Sequence, residues 1–192
     1  MADANGKAAT IEILNGKMIV HKGSDLSFPV LTNNTYDESV RSVKNSSSNG
    51  NNSLERFGEA CKMIQQLNTA NISKPLNDYA FDILEEVAQG DFTKWSIVYD
   101  ITNKTIQFKT NRFKQVKAVS FSAFDFNCTS MAKVWDMNQT ASGSINNLFQ
   151  NFNNDINKRI VETAAKESEN QVPISQKNRE ALWQYASKIK CQ

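Results

Sequence analysis

The sequence AATIEILNGKMIVHK, residues 8–22, decides the fold class because it contains two strands around a tight turn. Ala8–Leu14 is a plain strand, and Lys17–Lys22 is its return strand. Asn15 and Gly16 between them both tolerate positive φ, which is the strongest short signal for a two-residue β-hairpin. The sequence therefore predicts an antiparallel hairpin near the start of the chain.

A second turn signal, Asp3-Ala4-Asn5-Gly6, stands just before this hairpin. A turn of this kind connects two strands, but only the following strand can be recognised in the sequence. We therefore expect the chain to open within a meander and to leave one sheet edge unpaired. The expected partner at that edge is either a missing N-terminal portion or another copy of the chain.

The rest of the sequence alternates between helical and extended patterns. Leu54, Phe57 and Cys61 recur at helical spacing, and Ser53 could cap that helix. The predicted helices are 36–44, 54–67, 77–88, 145–151, 155–167 and one after Ser175 that carries Leu182, Trp183, Tyr185 and Ile189. The predicted strands are 95–101, 105–110 and 115–121, and 124–126 and 131–137 are also expected to be extended.

This order of strands, helices, strands and helices predicts an α+β fold with antiparallel sheets and separate helical layers. The 192 residues are enough for one domain and too few to require two. We expect residues 1–192 to form a single partial domain, which would be about half of a four-layer α/β/β/α sandwich. Within it, 45–52 is a predicted flexible polar loop, and 138–192 is a predicted helical C-terminal segment.

The composition excludes two classes of partner. The formal net charge is +2, and the basic residues are spread along the chain, so no nucleic-acid partner is expected. The longest apolar runs are only a few residues, so no membrane span is expected. The sequence has no signal-peptide pattern. Periplasmic, secreted and cytoplasmic locations all stay open.

Cysteine and histidine usage limits the chemistry. Cys61, Cys128 and Cys191 are odd in number and have no paired spacing, which does not indicate a disulfide framework. Cys61 lies on the apolar side of its predicted helix and is interpreted as a core residue. His21 is the single histidine, which excludes most His-rich zinc sites. We interpret it as structural or exposed.

Three segments stand in order after the opening hairpin: VLTNNTY at 30–36, SLERF at 53–57 and WSIVYDITNKTIQFKT at 95–110. Together they resemble the C-terminal part of the choloylglycine hydrolase family, which includes bile salt hydrolases and penicillin V acylases. The resemblance implies an N-terminal nucleophile (Ntn) hydrolase fold that hydrolyses linear amide C–N bonds. In that chemistry the thiol of an N-terminal Cys attacks, and its own α-amine is the base. The resemblance also implies no metal or organic cofactor and a homo-oligomer.

Two family roles correspond to residues of this chain. Asn33 matches the asparagine that stabilises the oxyanion, and Arg56 matches an arginine that favours the thiolate. The nucleophile has no match, because residue 1 is Met and an internal Cys has no free α-amine beside it. We therefore expect a truncated amidase portion that is inactive alone. In the alternatives, Asn33 is a turn residue, Arg56 is a solvated charge, and the chain is a non-enzymatic scaffold or interaction protein.

Overall fold

The structure is a computed structural model that describes residues 1–69 and 73–188. Its contacts divide the chain into two compact units, Met1–Asn111 and Arg112–Gln192. The expectation that residues 1–192 form one partial domain stays a prediction.

The first unit opens with the predicted hairpin. Strand β1 is Ala9–Leu14 and strand β2 is Lys17–Lys22, and the two pair antiparallel with Ile11 opposite Val20. Asn15 and Gly16 have φ values of 52° and 75°. Positive φ at both central residues is what a type I′ turn requires, and it matches the twist of the flanking strands. The hairpin prediction is confirmed.

One face of this hairpin lies against helix α1, Tyr36–Lys44. Cross-strand pairing puts Thr10, Glu12 and His21 on that face. Both carboxylate oxygens of Glu12 accept the backbone N–H of Tyr36, at 3.0 and 3.1 Å. The His21 ring lies 4.4 Å from the Tyr36 ring, centroid to centroid. Glu12 therefore supplies a negative charge to the N-terminus of α1, where the helix dipole favours it.

Two further helices of this unit are α2, Asn52–Thr69, and α3, Leu76–Glu86. Both were predicted, but α2 begins before Ser53. The Asn51 Oδ1 accepts the N–H groups of Ser53 and Leu54, at 3.0 and 3.3 Å, as an N-cap side chain does. The prediction that Ser53 caps this helix is therefore wrong, and its hydroxyl is free for other contacts.

A small aromatic core holds α1 and α2 together. Tyr36, Val40, Phe57 and Cys61 are all buried. The Tyr36 and Phe57 rings meet edge to face at 6.2 Å, which is a favourable geometry for an aromatic pair. The interpretation of Cys61 as a core residue is confirmed, and burial raises the pKa of its thiol to about 12. The polar loop predicted at 45–52 connects the two helices, except that Asn52 already belongs to α2.

Two of the predicted strands form a second hairpin, which completes the first unit. Strands β3, Trp95–Asp100, and β4, Thr105–Thr110, pair antiparallel across a turn in which Lys104 has a φ of 51°. Helix α3 lies against this hairpin. Lys109 makes an ion pair with Glu85 at 2.7 Å, with its Nζ 5.5 Å from the Phe81 ring.

The second unit contains short strands followed by two helices. Two pairs of strands form, one parallel and one antiparallel. Helices α4 and α5 confirm the predictions for 155–167 and for the segment after Ser175. The elements are β5 Lys117–Ser120, β6 Lys133–Val134, β7 Gly143–Ser144, β8 Gln150–Asn151, α4 Asn154–Ser168 and α5 Gln176–Lys188, with β5 next to β7 and β6 next to β8.

The predicted helix at 145–151 is wrong. This segment forms one 3₁₀ turn, Asn146–Leu148, followed by β8. The N–H of Ile145 donates to the carbonyl of Ala118 at 3.0 Å, and the Asn146 Oδ1 accepts the N–H of Ser120 at 2.9 Å. These bonds attach the start of the segment to β5, and the chain then continues into β8. Of the predicted extended segments 124–126 and 131–137, only Lys133–Val134 is a strand.

Cys128 forms a disulfide, which the odd cysteine count did not predict. Cys191 and Ile189, both named in the sequence predictions, lie outside the described residues. In the described part of the chain, no helix has the length and apolar character needed to cross a membrane.

The α+β class is confirmed. The described residues contain five α-helices and mostly antiparallel strand pairs, as the element order predicted.

Candidate active site

The structure brings the two predicted site residues into direct contact. The Arg56 Nη2 donates a hydrogen bond of 2.7 Å to the Asn33 Oδ1. Asn33 lies on the segment before α1, and Arg56 lies on the second turn of α2. Since 23 residues separate them in the chain, the contact depends on how α1 and α2 pack. The predicted pair is therefore one local site, although its catalytic role stays a prediction.

Ser53 fixes the backbone of the asparagine segment. Its Oγ accepts the backbone N–H of Asn33 at 2.9 Å and that of Asn34 at 3.0 Å. The Ser53 hydroxyl in turn donates to the Thr32 Oγ1, and the Thr32 hydroxyl lies 3.1 Å from the Ser53 carbonyl oxygen, to which it can donate. Ser53 is buried, so these bonds are shielded from competing water.

One consequence concerns the backbone of Asn33. Its N–H is already bonded to Ser53, so it is not a free donor for a substrate oxygen. Any oxyanion stabilisation from Asn33 must therefore come from its side-chain amide.

The orientation of that amide is set by Arg56. Because the Asn33 Oδ1 accepts the guanidinium, the Nδ2 must point to the other side of the amide group. Within residues 1–69 and 73–188, the Asn33 Nδ2 has no hydrogen-bond partner, and Asn33 is exposed. A fixed, outward N–H donor of this kind is the group that stabilises an oxyanion in acyl transfer.

Arg56 is itself held in place. Its Nε donates to the Asn52 Oδ1 at 2.9 Å, one helical turn earlier. The same Asn52 oxygen accepts the Gln89 Nε2 at 3.0 Å. The guanidinium therefore bonds through two nitrogens of one planar group, Nε to Asn52 and Nη2 to Asn33, and that planarity is specific to arginine.

The sequence reasoning missed three supporting residues, namely Ser53 as an acceptor, Asn52 and Gln89. Ser53 was present in the SLERF motif, but it was interpreted only as a helix cap. The contact of Gln89 with Asn52 spans 37 residues, and no local pattern signals it.

Within residues 1–69 and 73–188, the cysteines and the histidine are not placed for this chemistry. The Cys61 thiol is buried with a raised pKa, and Cys128 is in a disulfide, so neither is a thiolate nucleophile. His21 is packed on Tyr36, as its structural interpretation predicted. Among the described residues, no group of three or more His, Cys, Asp or Glu side chains could hold a metal ion.

The fold of this chain is similar to that of a solved acylase structure. The solved structure of penicillin V acylase from Agrobacterium tumefaciens matches with a TM-score of 0.62 and 20% sequence identity. The match covers 79% of this chain and 55% of the acylase chain, so this chain spans just over half of that protein. No family model and no curated protein sequence matches the chain. The likeness shows the fold, and it shows no more than the fold.

Proposed function

We propose that this chain supplies the oxyanion-binding side of an Ntn amidase that hydrolyses linear amide C–N bonds. The observation that supports the proposal is the 2.7 Å bond by which Arg56 orients the Asn33 amide. The similarity to penicillin V acylase supports it at the level of the fold. Substrates of this class are penicillin V-like amides, conjugated bile salts and other N-acyl amides.

In this mechanism a thiolate attacks the amide carbonyl, and negative charge develops on the carbonyl oxygen. The Asn33 Nδ2–H would donate to that oxygen in the tetrahedral intermediate, where the bond is stronger than in the ground state. Arg56 adds a positive charge beside the same group. It would favour the thiolate as well as hold the Asn33 rotamer.

The nucleophile of this mechanism is the thiol of an N-terminal Cys, which transfers its proton to its own α-amine. Neither Cys61 nor Cys128 meets that requirement. The proposal therefore places the nucleophile outside residues 1–192, and it expects the 192-residue chain alone to be inactive. If no such nucleophile exists, the second hypothesis applies, namely a non-enzymatic scaffold that keeps part of the fold.

The test begins with the coding sequence immediately upstream of Met1. An in-frame segment with a Cys after a start or signal sequence would support the amidase. A stop codon and ribosome-binding site directly before Met1 would support the scaffold.

The product of the full reading frame is then assayed with penicillin V, a conjugated bile salt and an N-acyl homoserine lactone. We expect Asn33→Ala to lower kcat by about 10²–10³-fold. The matched control is Asn34→Ala, since the Asn34 Nδ2 is bonded to Glu38 and is not a free donor. Equal activity losses in the two variants would contradict the assignment of Asn33. Hydrolysis by the 192-residue chain that Asn33→Ala abolishes would contradict the N-terminal Cys mechanism.

A further inference from the structure

A small cavity lies in the second unit, between helix α4 and the segments that contain β6 and β8. Its volume is about 170 Å³. Pockets for drug-sized ligands have volumes of about 300–1,000 Å³, so this cavity suits a smaller molecule. All of its lining residues belong to the second unit, and none of them is part of the Asn33 site.

Helix α4 bonds to α5 on one side and lines the cavity on the other. The Asn157 Nδ2 donates to the Trp183 carbonyl of α5 at 2.9 Å. Glu162 makes an ion pair with Arg179 of α5 at 3.1 Å. The polar bonds that join the two helices therefore use other residues than the cavity does. Four residues, spaced by three or four positions on one helix face, line the cavity: Ile156, Arg159, Ile160 and Thr163.

The facing wall of the cavity includes an aromatic ring and a carboxylate in consecutive residues. Trp135 follows β6, and its ring lies 6.4 Å from the Phe149 ring, centroid to centroid. Asp136 opens a tight turn, in which its Oδ1 accepts the N–H of Asn138 at 2.9 Å. The ring and the carboxylate are thus both held by contacts outside the cavity.

The cavity is lined by one positive and one negative side chain that do not pair with each other. Among the residues that the structure describes, the Arg159 guanidinium makes no hydrogen bond and no ion pair, including with Asp155 one turn earlier. In the same part of the chain, the Asp136 Oδ2 accepts no hydrogen bond. A small molecule that carries both charges can meet each of these groups with the opposite charge.

We propose that this cavity binds a free α-amino acid with an apolar side chain. The ligand carboxylate would accept two parallel hydrogen bonds from the Arg159 guanidinium, which is the arrangement that arginine favours. The ligand ammonium group would donate to Asp136. The ligand side chain would lie against Trp135, Ile156 and Ile160.

The pairing of charges distinguishes this ligand from related ones. A free amino acid carries an ammonium and a carboxylate on one carbon, whereas each end of a peptide carries only one of them. A simple carboxylic acid would bring its apolar part against Asp136, and a simple amine would do the same to Arg159. Both would desolvate a charge without pairing it, and both should therefore bind less tightly.

The first test compares three molecules that share one carbon skeleton. L-leucine carries both charges, 4-methylpentanoate lacks the ammonium, and 3-methylbutylamine lacks the carboxylate. Each is titrated into the product of the full reading frame, and NMR follows the Trp135 indole N–H and the methyl groups of Ile156 and Ile160. A hydrogen bond to a charged group is worth about tenfold or more in affinity. We therefore expect L-leucine to bind at least about tenfold more tightly than either analogue.

The second test assigns each charge to its partner. Asp136→Asn should weaken the binding of L-leucine at least about tenfold without weakening that of 4-methylpentanoate, whereas Arg159→Gln should weaken both. The matched control is Lys158→Gln. It removes the same charge one residue away, where the Lys158 Nζ lies 5.7 Å from the Trp183 ring on the α5 side. The control should bind L-leucine as the native protein does.

Three results would overturn the proposal. One is the absence of saturable shifts at Trp135, Ile156 and Ile160 on addition of L-leucine. Another is equal affinity for the three molecules, which would show apolar binding without recognition of charge. The third is an equal loss of affinity in Arg159→Gln and Lys158→Gln. These measurements do not involve amide hydrolysis, so they are independent of the proposed enzymatic function.

Discussion

Two sides of helix α2 hold the same asparagine in different ways. Ser53 and Phe57 are on the buried side, and Asn52 and Arg56 are on the more exposed side, one residue earlier in each turn. The buried side bonds to the backbone N–H of Asn33, whereas the exposed side bonds to its side-chain oxygen. The buried side therefore places the residue, and the exposed side orients its amide.

The contacts on the two sides of α2 therefore affect different properties, namely the stability of the protein and the orientation of the Asn33 side chain. Contacts on the buried side contribute to the free energy of unfolding, because water does not compete for them. Contacts on the exposed side contribute little to it, since water replaces them readily. A variant on one side should therefore change stability, and a variant on the other should change the Asn33 side chain alone.

The largest effect is expected for Ser53→Ala. This change leaves the N–H groups of Asn33 and Asn34 without their acceptor and should lower the free energy of unfolding by about 1–3 kcal/mol. Urea unfolding measures the loss. Ser47→Ala is the control, since the Ser47 hydroxyl bonds only to Asn49 in an exposed loop, and its effect should stay within about 0.5 kcal/mol. Equal losses would contradict the distinction between the two sides.

An intermediate effect concerns Cys61, also on the buried side. Its pKa is raised by burial from 9.0 to about 12 in the folded protein, so the unfolded chain ionises first as pH rises. Its contribution to stability is therefore complete below pH 9 and declines towards pH 12. Urea unfolding between pH 8 and 11 should show a steeper decline for the native protein than for Cys61→Ala. Parallel declines would show that the thiol is not shielded.

The smallest effect on stability is expected for Arg56→Lys. Lysine carries all its donors on one nitrogen and lacks the planar pair that bonds to Asn52 and Asn33, so the Asn33 amide should lose its fixed orientation. The free energy of unfolding should change by less than about 0.5 kcal/mol. Side-chain ¹⁵N relaxation should show increased motion of the Asn33 amide but not of the Asn34 amide. An Asn33 amide that stays rigid would contradict the role of Arg56.

The parts of the fold that the sequence predicted are those with local causes. The turn at Asn15 and Gly16 and the apolar spacing of Phe57 and Cys61 depend on near neighbours in the chain. The segment around Asn146 was mispredicted as a helix, and in the structure its side chain bonds to Ser120, 26 residues away. Helical spacing carries no information about a bond of that range.

The residues of the candidate site likewise include some that the sequence predicted and one whose function it did not. Asn33 and Arg56 were identified from the order of short motifs in the chain. The function of Ser53 was not, because a serine at a helix start has an ordinary local role as a cap. The groups to which the Ser53 hydroxyl bonds lie about 20 residues away in the chain. These hydrogen bonds form only when α1 packs on α2.

The contact between the His21 and Tyr36 rings also has a practical use. Because the chain has a single histidine, its imidazole protons give one pair of resonances in a proton NMR spectrum. The Tyr36 ring, 4.4 Å away, displaces those resonances by its ring current. These histidine resonances therefore report, without isotope labelling, whether the β1–β2 hairpin is packed against α1.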